Sequence, residues 1–271
     1  LIWINAGLPG NHPCMSSFGK IASLRHPVSI NLTERPAASA CDDCGARHMG
    51  LCDALSDDEL VFLSRAAQRV TFPAGKLFME EGEPAQYFYN MNAGTVRLFK
   101  ALPDGRRQIT GFATAGHFIG LASLETNMVS AEAIETVQLC RFSRANLHAM
   151  FSEYPALERK LLDVAMHELV LSQQQMLLLG RKTALERIAS FLIGWAQRQE
   201  ICGAGKLPRP GSKLTLPLSR TDLADYLGLT IETVSRSLSQ LKKDGLIEIP
   251  NIHEIVLQRP QALENIAEAA N

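Results

Sequence analysis

The chain has 271 residues, enough for two ordinary domains with a core each. Its 27 Lys/Arg against 28 Asp/Glu exclude a bulk polyelectrolyte, so any nucleic-acid affinity must come from a local patch. No apolar run approaches the ~20 residues a spanning helix needs, and the opening LIWINAGLPG lacks the features of a signal peptide. A cytoplasmic protein with no membrane partner is expected. In that compartment six cysteines point to metal ligands or redox thiols rather than disulfides.

Residues 1–40 show no sustained period and read as a mobile tail. Next comes ACDDCGARHMGLCDAL, where Cys41, Cys44 and Cys52 form C-x2-C-x7-C. Three thiolates this close repel one another unless a cation or cluster takes up the charge. Soft sulfur selects zinc or iron–sulfur. A zinc knot with His48 or a fourth cysteine, incidental thiols and a redox dithiol are the alternatives. The redox dithiol lacks the βαβ setting it would need. Cys14, in the tail, and Cys202, in a Gly-rich turn, read as incidental.

Asp57 to Arg69 reads as a short helix. From Val70 to about Phe142, short alternating runs are separated by glycines at 75, 82, 94, 105 and 116. That spacing predicts a small antiparallel barrel or jelly roll, with Asp104-Gly105 as a type I′ hairpin signal. Pro155 to Leu179 predicts a long helix with Pro155 at N1. Leu162, Ala165, Leu169, Ser172, Met176 and Leu179 fall at coiled-coil seam positions, so a homodimer is expected. Ala165 and Ser172 make the middle of the seam weak.

Thr183-x-x-Glu186 is a capping box that opens a further helix to about Arg198. The segment LSRTDLADYLGLTIETVSRSLSQLKKDGL, Leu218 to Leu246, then reads as two helices joined by a tight turn. Ser219 and Thr230 cap them, Gly228 makes the turn, and Gly245 ends the second. Apolar positions face inward, which leaves Glu232, Ser235 and Arg236 on the exposed start of the second helix. Arg can take guanine O6 and N7, Glu can accept from cytosine N4, and Ser is adaptable. Ser219, Thr221, Thr230 and Thr233 are placed to touch phosphate, which fixes register without reading sequence. LIEIPNIHEIVLQ reads as a hairpin wing, and 260–271 as a short helix or tail.

LADYLGLTIETVSRSLSQLKKDGLI resembles the helix-turn-helix of the CRP–FNR transcription factors, and its E-T-V-S-R core resembles the FNR branch. The resemblance runs from about Cys41 to Leu257. It implies an α+β chain: a cysteine segment and cyclic-nucleotide-binding-like β-barrel (41–153), a dimerisation helix (154–182), a winged helix-turn-helix (183–259) and a tail (260–271). It also implies a [4Fe–4S] cluster whose fourth ligand is a cysteine late in the barrel, where Cys140 stands. The DNA site it implies is a palindrome like TTGAT-N4-ATCAA, and a further partner is RNA polymerase. The loops at Asp104 to Arg107 and Thr126 to Val129 are the analogous contact points. In nucleotide-binding relatives HFIG is followed by a ribose-binding Glu and later by an Arg for the phosphate. Here Leu121 takes the Glu position and the loop has no Arg, so no cyclic nucleotide is expected. The same fold can instead sense a cyclic nucleotide, a haem ligand, zinc or thiol oxidation. No nucleophile–base pair points to an enzyme.

Overall fold

The structure, a computed structural model, describes residues 41, 44–47, 49, 51–121, 125–199 and 207–268. The expectations for the tail 1–40, Cys14, His48 and Cys202 lie outside these residues.

Helix α1 (Asp57–Ala66) opens on a capping box between Ser56 and Glu59. It stops three residues short of the expected Arg69. Ala67 to Phe72 instead form strand β1, because each of them pairs antiparallel with β8 (Val137–Ser143). Between these lie β2 (Leu77–Met79), β3 (Tyr87–Ala93), β4 (Val96–Ala101), β5 (Arg107–Ala113), β6 (Phe118–Ile119) and β7 (Ser130–Ala133). They form two sheets, ordered β1-β8-β3-β6 and β2-β7-β4-β5. Met79, Met91, Val96, Ala131, Val137 and Leu139 fill the space between the sheets. The domain is therefore a two-sheet jelly roll. Among the described residues the strands do not close into one barrel, since no edge strand of one sheet pairs with the other.

Strand β3 is buried on both faces, which hides its alternation. Tyr89 and Met91 face the inter-sheet core. Phe88 faces a second core built by Leu51, Leu55, Leu60, Leu63 and Phe142. Gly94 ends the strand at φ 84°, where a Cβ would lie 2.7 Å from the Thr136 carbonyl. The β4–β5 hairpin is present, but its turn is Leu102-Pro103-Asp104-Gly105, closed by the Gly105 N–H on the Leu102 carbonyl at 3.0 Å. Proline at the first central position holds φ negative, so the expected type I′ turn is ruled out.

Helix α2 (Arg144–Glu153) leads into α3 (Pro155–Arg181), a 27-residue helix with proline in its first turn. The C-terminal domain is α4 (Ala184–Arg198), β9 (Ser212–Thr215), α5 (Arg220–Leu227), α6 (Ile231–Lys243), β10 (Ile247–Asn251), β11 (Glu254–Leu257) and α7 (Pro260–Glu268). Its sheet order is β10-β11-β9, a winged helix-turn-helix. Residues 260–268 are not a loose tail: Leu263 and Ala267 are buried in the core of this domain, and α7 packs on α4.

Candidate nucleic-acid interface and thiol site

The two helices of the turn motif start on side-chain caps. Ser219 Oγ accepts from the Asp222 N–H at 3.0 Å, and Asp222 Oδ2 accepts back from the Ser219 N–H at 2.9 Å. Thr230 Oγ1 accepts from the Thr233 N–H at 3.2 Å. Gly228, at φ 61°, makes the left-handed turn between them. Leu223, Leu227, Val234, Leu238 and Leu241 are buried together, which fixes the angle between the helices. Glu232, Ser235 and Arg236 are left exposed on α6. Thr221 and Thr230 are exposed, Thr233 is half-buried, and the Ser219 hydroxyl is already engaged in its cap. The Glu232 carboxyl is held below its ordinary value by backbone hydrogen bonding at the helix start, then by Thr230 and Arg236. It therefore offers acceptors only.

Arg187 was not singled out by sequence. Its guanidinium donates to the carbonyls of Leu179 and Leu227 at 2.8 Å and of Lys182 at 2.9 Å. It thereby satisfies carbonyls at the C-terminal ends of α3 and α5 at once. Sequence offers no signal for this, because nothing marks one arginine on a helix as a bridge.

The motif is also bound to the jelly roll. Arg97 on β4 donates to Asp222 Oδ1 at 2.7 Å and to Glu132, while Arg107 on β5 pairs with Asp225 at 2.5 Å. Ile109 and Phe112 of β5 join the core of the C-terminal domain. Arg107 thus faces the DNA-binding part. Of the loop residues considered for RNA polymerase, Asp104, Arg106, Thr126 and Met128 are exposed, whereas Asn127 is buried and donates to the Glu80 carbonyl.

Four thiols meet at the other side of the domain. Cys41, Cys44 and Cys52 on the segment before α1, and Cys140 on β8, line one cavity. The segment is wound into turns by Cys44 N–H to Cys41 O at 3.2 Å and Arg47 N–H to Cys44 O at 2.9 Å. Ala46 and Leu51, both fully buried, pin it down. Burial, and after it the neighbouring Cys140, Cys44 and Cys41, pushes the Cys52 thiol up to about 12. Burial also raises Cys140, against the lowering effect of a hydrogen bond from Asn92. Among the described residues, no three Cys, His, Asp or Glu side chains stand ready to hold a metal ion. The cavity, about 20 Å³, has room for about one water. The donor set itself suits a soft-metal cluster: four sulfurs from two stretches of the chain line one cavity.

Along α3, the expected seam residues Leu162, Ala165, Leu169, Ser172 and Met176 are exposed, Leu162 at 62% and Met176 at 64%. Leu179, the last of them, packs on its own C-terminal core. Met166, Val170 and Leu177 are also exposed, so the apolar stripe is broader than an a/d seam and extends to one side of it.

The model of a Crp-like helix-turn-helix domain matches residues 186–266, and that of a cyclic nucleotide-binding domain matches 69–154. The nitrogen fixation regulation protein FixK of Bradyrhizobium diazoefficiens is 40% identical over 235 residues, 86% of this chain and 96% of that one. The chain belongs to the CRP–FNR family of transcription regulators, in its FNR/FixK branch. The transcriptional activator protein FnrL of Cereibacter sphaeroides is 34% identical, across 80% of this chain and 87% of that one. Among solved structures, FixK2 from Bradyrhizobium japonicum superposes with a TM-score of 0.68 at 39% identity, covering 76% of this chain and 99% of that one. This family member is therefore a DNA-binding regulator and not an enzyme. Its relatives in the family are typically dimeric. No helix among the described residues is long and apolar enough to cross a membrane.

Proposed function

We propose that this CRP–FNR regulator is an oxygen-responsive transcription activator in which Cys41, Cys44, Cys52 and Cys140 hold a [4Fe–4S] cluster. The observation that carries the reading is the convergence of these four thiols, 88 positions apart at the nearest point between Cys52 and Cys140, on one cavity. When bound, the cluster supplies the sensitivity to oxygen. The chain's own residues supply the rest. Cys140 sits on the β8 register, paired to both β1 and β3, and so offers a rigid anchor. Ligation would tie the stretch that carries Cys41, Cys44 and Cys52 to that anchor. Leu51 and Leu55 of the segment share a core with Leu157, at the start of α3, and Lys160 on α3 faces Asp53 at 3.9 Å. Tying or freeing the segment therefore changes how α3 is seated.

Helix α3 carries the exposed apolar stripe, which we assign to the homodimer. The dimer presents two α6 helices about one DNA turn (~34 Å) apart to a TTGAT-N4-ATCAA-like palindrome. Glu232, Ser235 and Arg236 read bases, and Thr221, Thr230 and Thr233 with the α5 N-terminus at Ser219 touch phosphate. The exposed loop positions Asp104, Arg106, Thr126 and Met128 contact RNA polymerase. Leu121 packs against the outer core of the jelly roll, and we infer that the domain takes no cyclic nucleotide.

The test is anaerobic purification followed by the visible spectrum, iron and sulfide analysis, and exposure to air. Iron and sulfide with a thiolate charge-transfer band that bleaches in air are expected. Cys140→Ala should lose the cluster and keep the fold by circular dichroism. A colourless, iron-free protein from anaerobic cells would sink the oxygen reading and leave the DNA-binding one standing. Zinc in its place, or a haem spectrum, would name the other sensor.

A further inference from the structure

Two asparagines beside the thiols are not used by that account. Asn90 and Asn92 lie two apart on β3, so both point to the face that carries the cysteine segment. Asn90 pairs directly with Cys140 across the sheet and is 1% exposed. Its Nδ2 donates to Cys52 Sγ at 3.6 Å, and Asn92 Nδ2 donates to Cys140 Sγ at 3.3 Å. Both carbonyl ends, Asn90 Oδ1 and Asn92 Oδ1, are buried and have no hydrogen-bond partner among the described residues.

This arrangement is costly for thiols alone. A neutral thiol is a weak acceptor, so each amide gains little at its nitrogen and loses solvation at its oxygen. The neighbours on this face, Phe88 and Phe142, are apolar. Leucine, which has the same branched shape and number of side-chain heavy atoms, would occupy this face without the polar penalty. An N–H bond to a negative sulfur is charge-assisted and about twice as strong as a neutral one. The amides therefore match the charged sulfur of a metal-bound cysteine.

We infer that Asn90 and Asn92 are positioning residues for the sulfurs of Cys52 and Cys140, holding and stabilising them as thiolates toward a bound cluster; the inference rests on the cluster reading above. Hydrogen bonds to ligating sulfur stabilise the more negative state of a cluster and so shift its potential upward.

The experiment compares wild type with Asn90→Leu, Asn92→Leu and the double variant, each as the full chain. Iron and sulfide in the wild type come first, because their absence there refutes the cluster reading and with it this inference. Two readouts follow. The Tm of the cluster-free protein should stay level or rise in the variants, since a buried orphan carbonyl is removed. The cluster, where it assembles, should bleach in air about tenfold faster in the double variant, or should fail to assemble, and its midpoint potential should fall. Asn92→Gln, which keeps the amide, should restore part of the lifetime that Asn92→Leu loses. A lower Tm of the cluster-free variants, at any bleaching rate, would mean that the amides serve the fold and would overturn the inference. Unchanged bleaching and potential would overturn it equally, with the cluster reading intact.

Discussion

Arg236 is exposed on α6, and its Nη2 reaches back to Thr233 Oγ1 at 3.4 Å. That contact is long and solvent-facing, so the guanidinium is free to swing to a base at little cost. Arg236→Ala should weaken binding to the palindrome by about 1–3 kcal/mol and relax the preference at one base pair. Titration against single-base variants of the site checks this; equal weakening on every sequence would make Arg236 a phosphate contact. His117 gives a second residue-scale prediction. Its ring is held below the ordinary 6.5, first by burial and then by Arg198. The folded state therefore takes up the proton less readily than the unfolded chain does. Its stabilising contribution is present above 6.5 and is lost as pH falls below that value, because the unfolded chain takes up a proton first. His117→Gln should therefore lose less Tm than wild type between about pH 7.5 and about pH 5.5. Equal losses would place the acid sensitivity elsewhere. Sequence pointed to Arg236 because a cap, a turn and a polar face agreed. It was silent on Asn90 and Asn92, since asparagine in a strand says nothing about the thiols it will face.

Helix α3 separates what spacing can say from what it cannot. A 3.5-residue repeat marks which residues share a stripe, and Leu162, Leu169 and Met176 do lie on the exposed one. It does not fix the centre of the stripe, because Ala165 and Ser172 contribute little area on either side. The exposed Met166, Val170 and Leu177 put the centre near Gln173, which stands between Leu169 or Val170 and Met176 or Leu177 at helical spacing. The Ser172 hydroxyl is already satisfied by the Glu168 carbonyl at 2.8 Å. Gln173→Leu should tighten the dimer by about 1–2 kcal/mol per chain, and Ser172→Leu by less. Sedimentation equilibrium separates the two, and the reverse order would return the seam to the a/d register. Caps were legible at Thr183, Ser219 and Thr230, since each hydroxyl precedes an apolar run. The end of α1 was not, because the strand pairing of Ala67 to Arg69 overrides local preference.

At the scale of the molecule the decisive contacts join residues more than eighty positions apart, and no local pattern could reveal them. Asp222, 2% exposed, caps α5 and also accepts from Arg97 on the jelly roll. One carboxylate therefore serves the first helix of the DNA-binding motif and the sheet that docks it. Phe112 adds ring contacts with Trp195 and Tyr226 at 5.7 and 5.1 Å, so the interface has an apolar part that survives loss of the ion pair. Arg97→Gln should strand a buried charge, costing about 1–3 kcal/mol, while Ser219 and Arg107 hold part of it in place. Arg97→Gln with Asp222→Asn removes the stranded charge and keeps an amide able to cap. The double variant should therefore melt higher than Arg97→Gln alone, although each single change destabilises. Calorimetry on the full chain reads both Tm and the number of transitions. A split melt in Arg97→Gln that merges again in the double variant would make this contact the coupling between sensor and reader. Additive losses with one transition throughout would leave the apolar ring contacts to couple them.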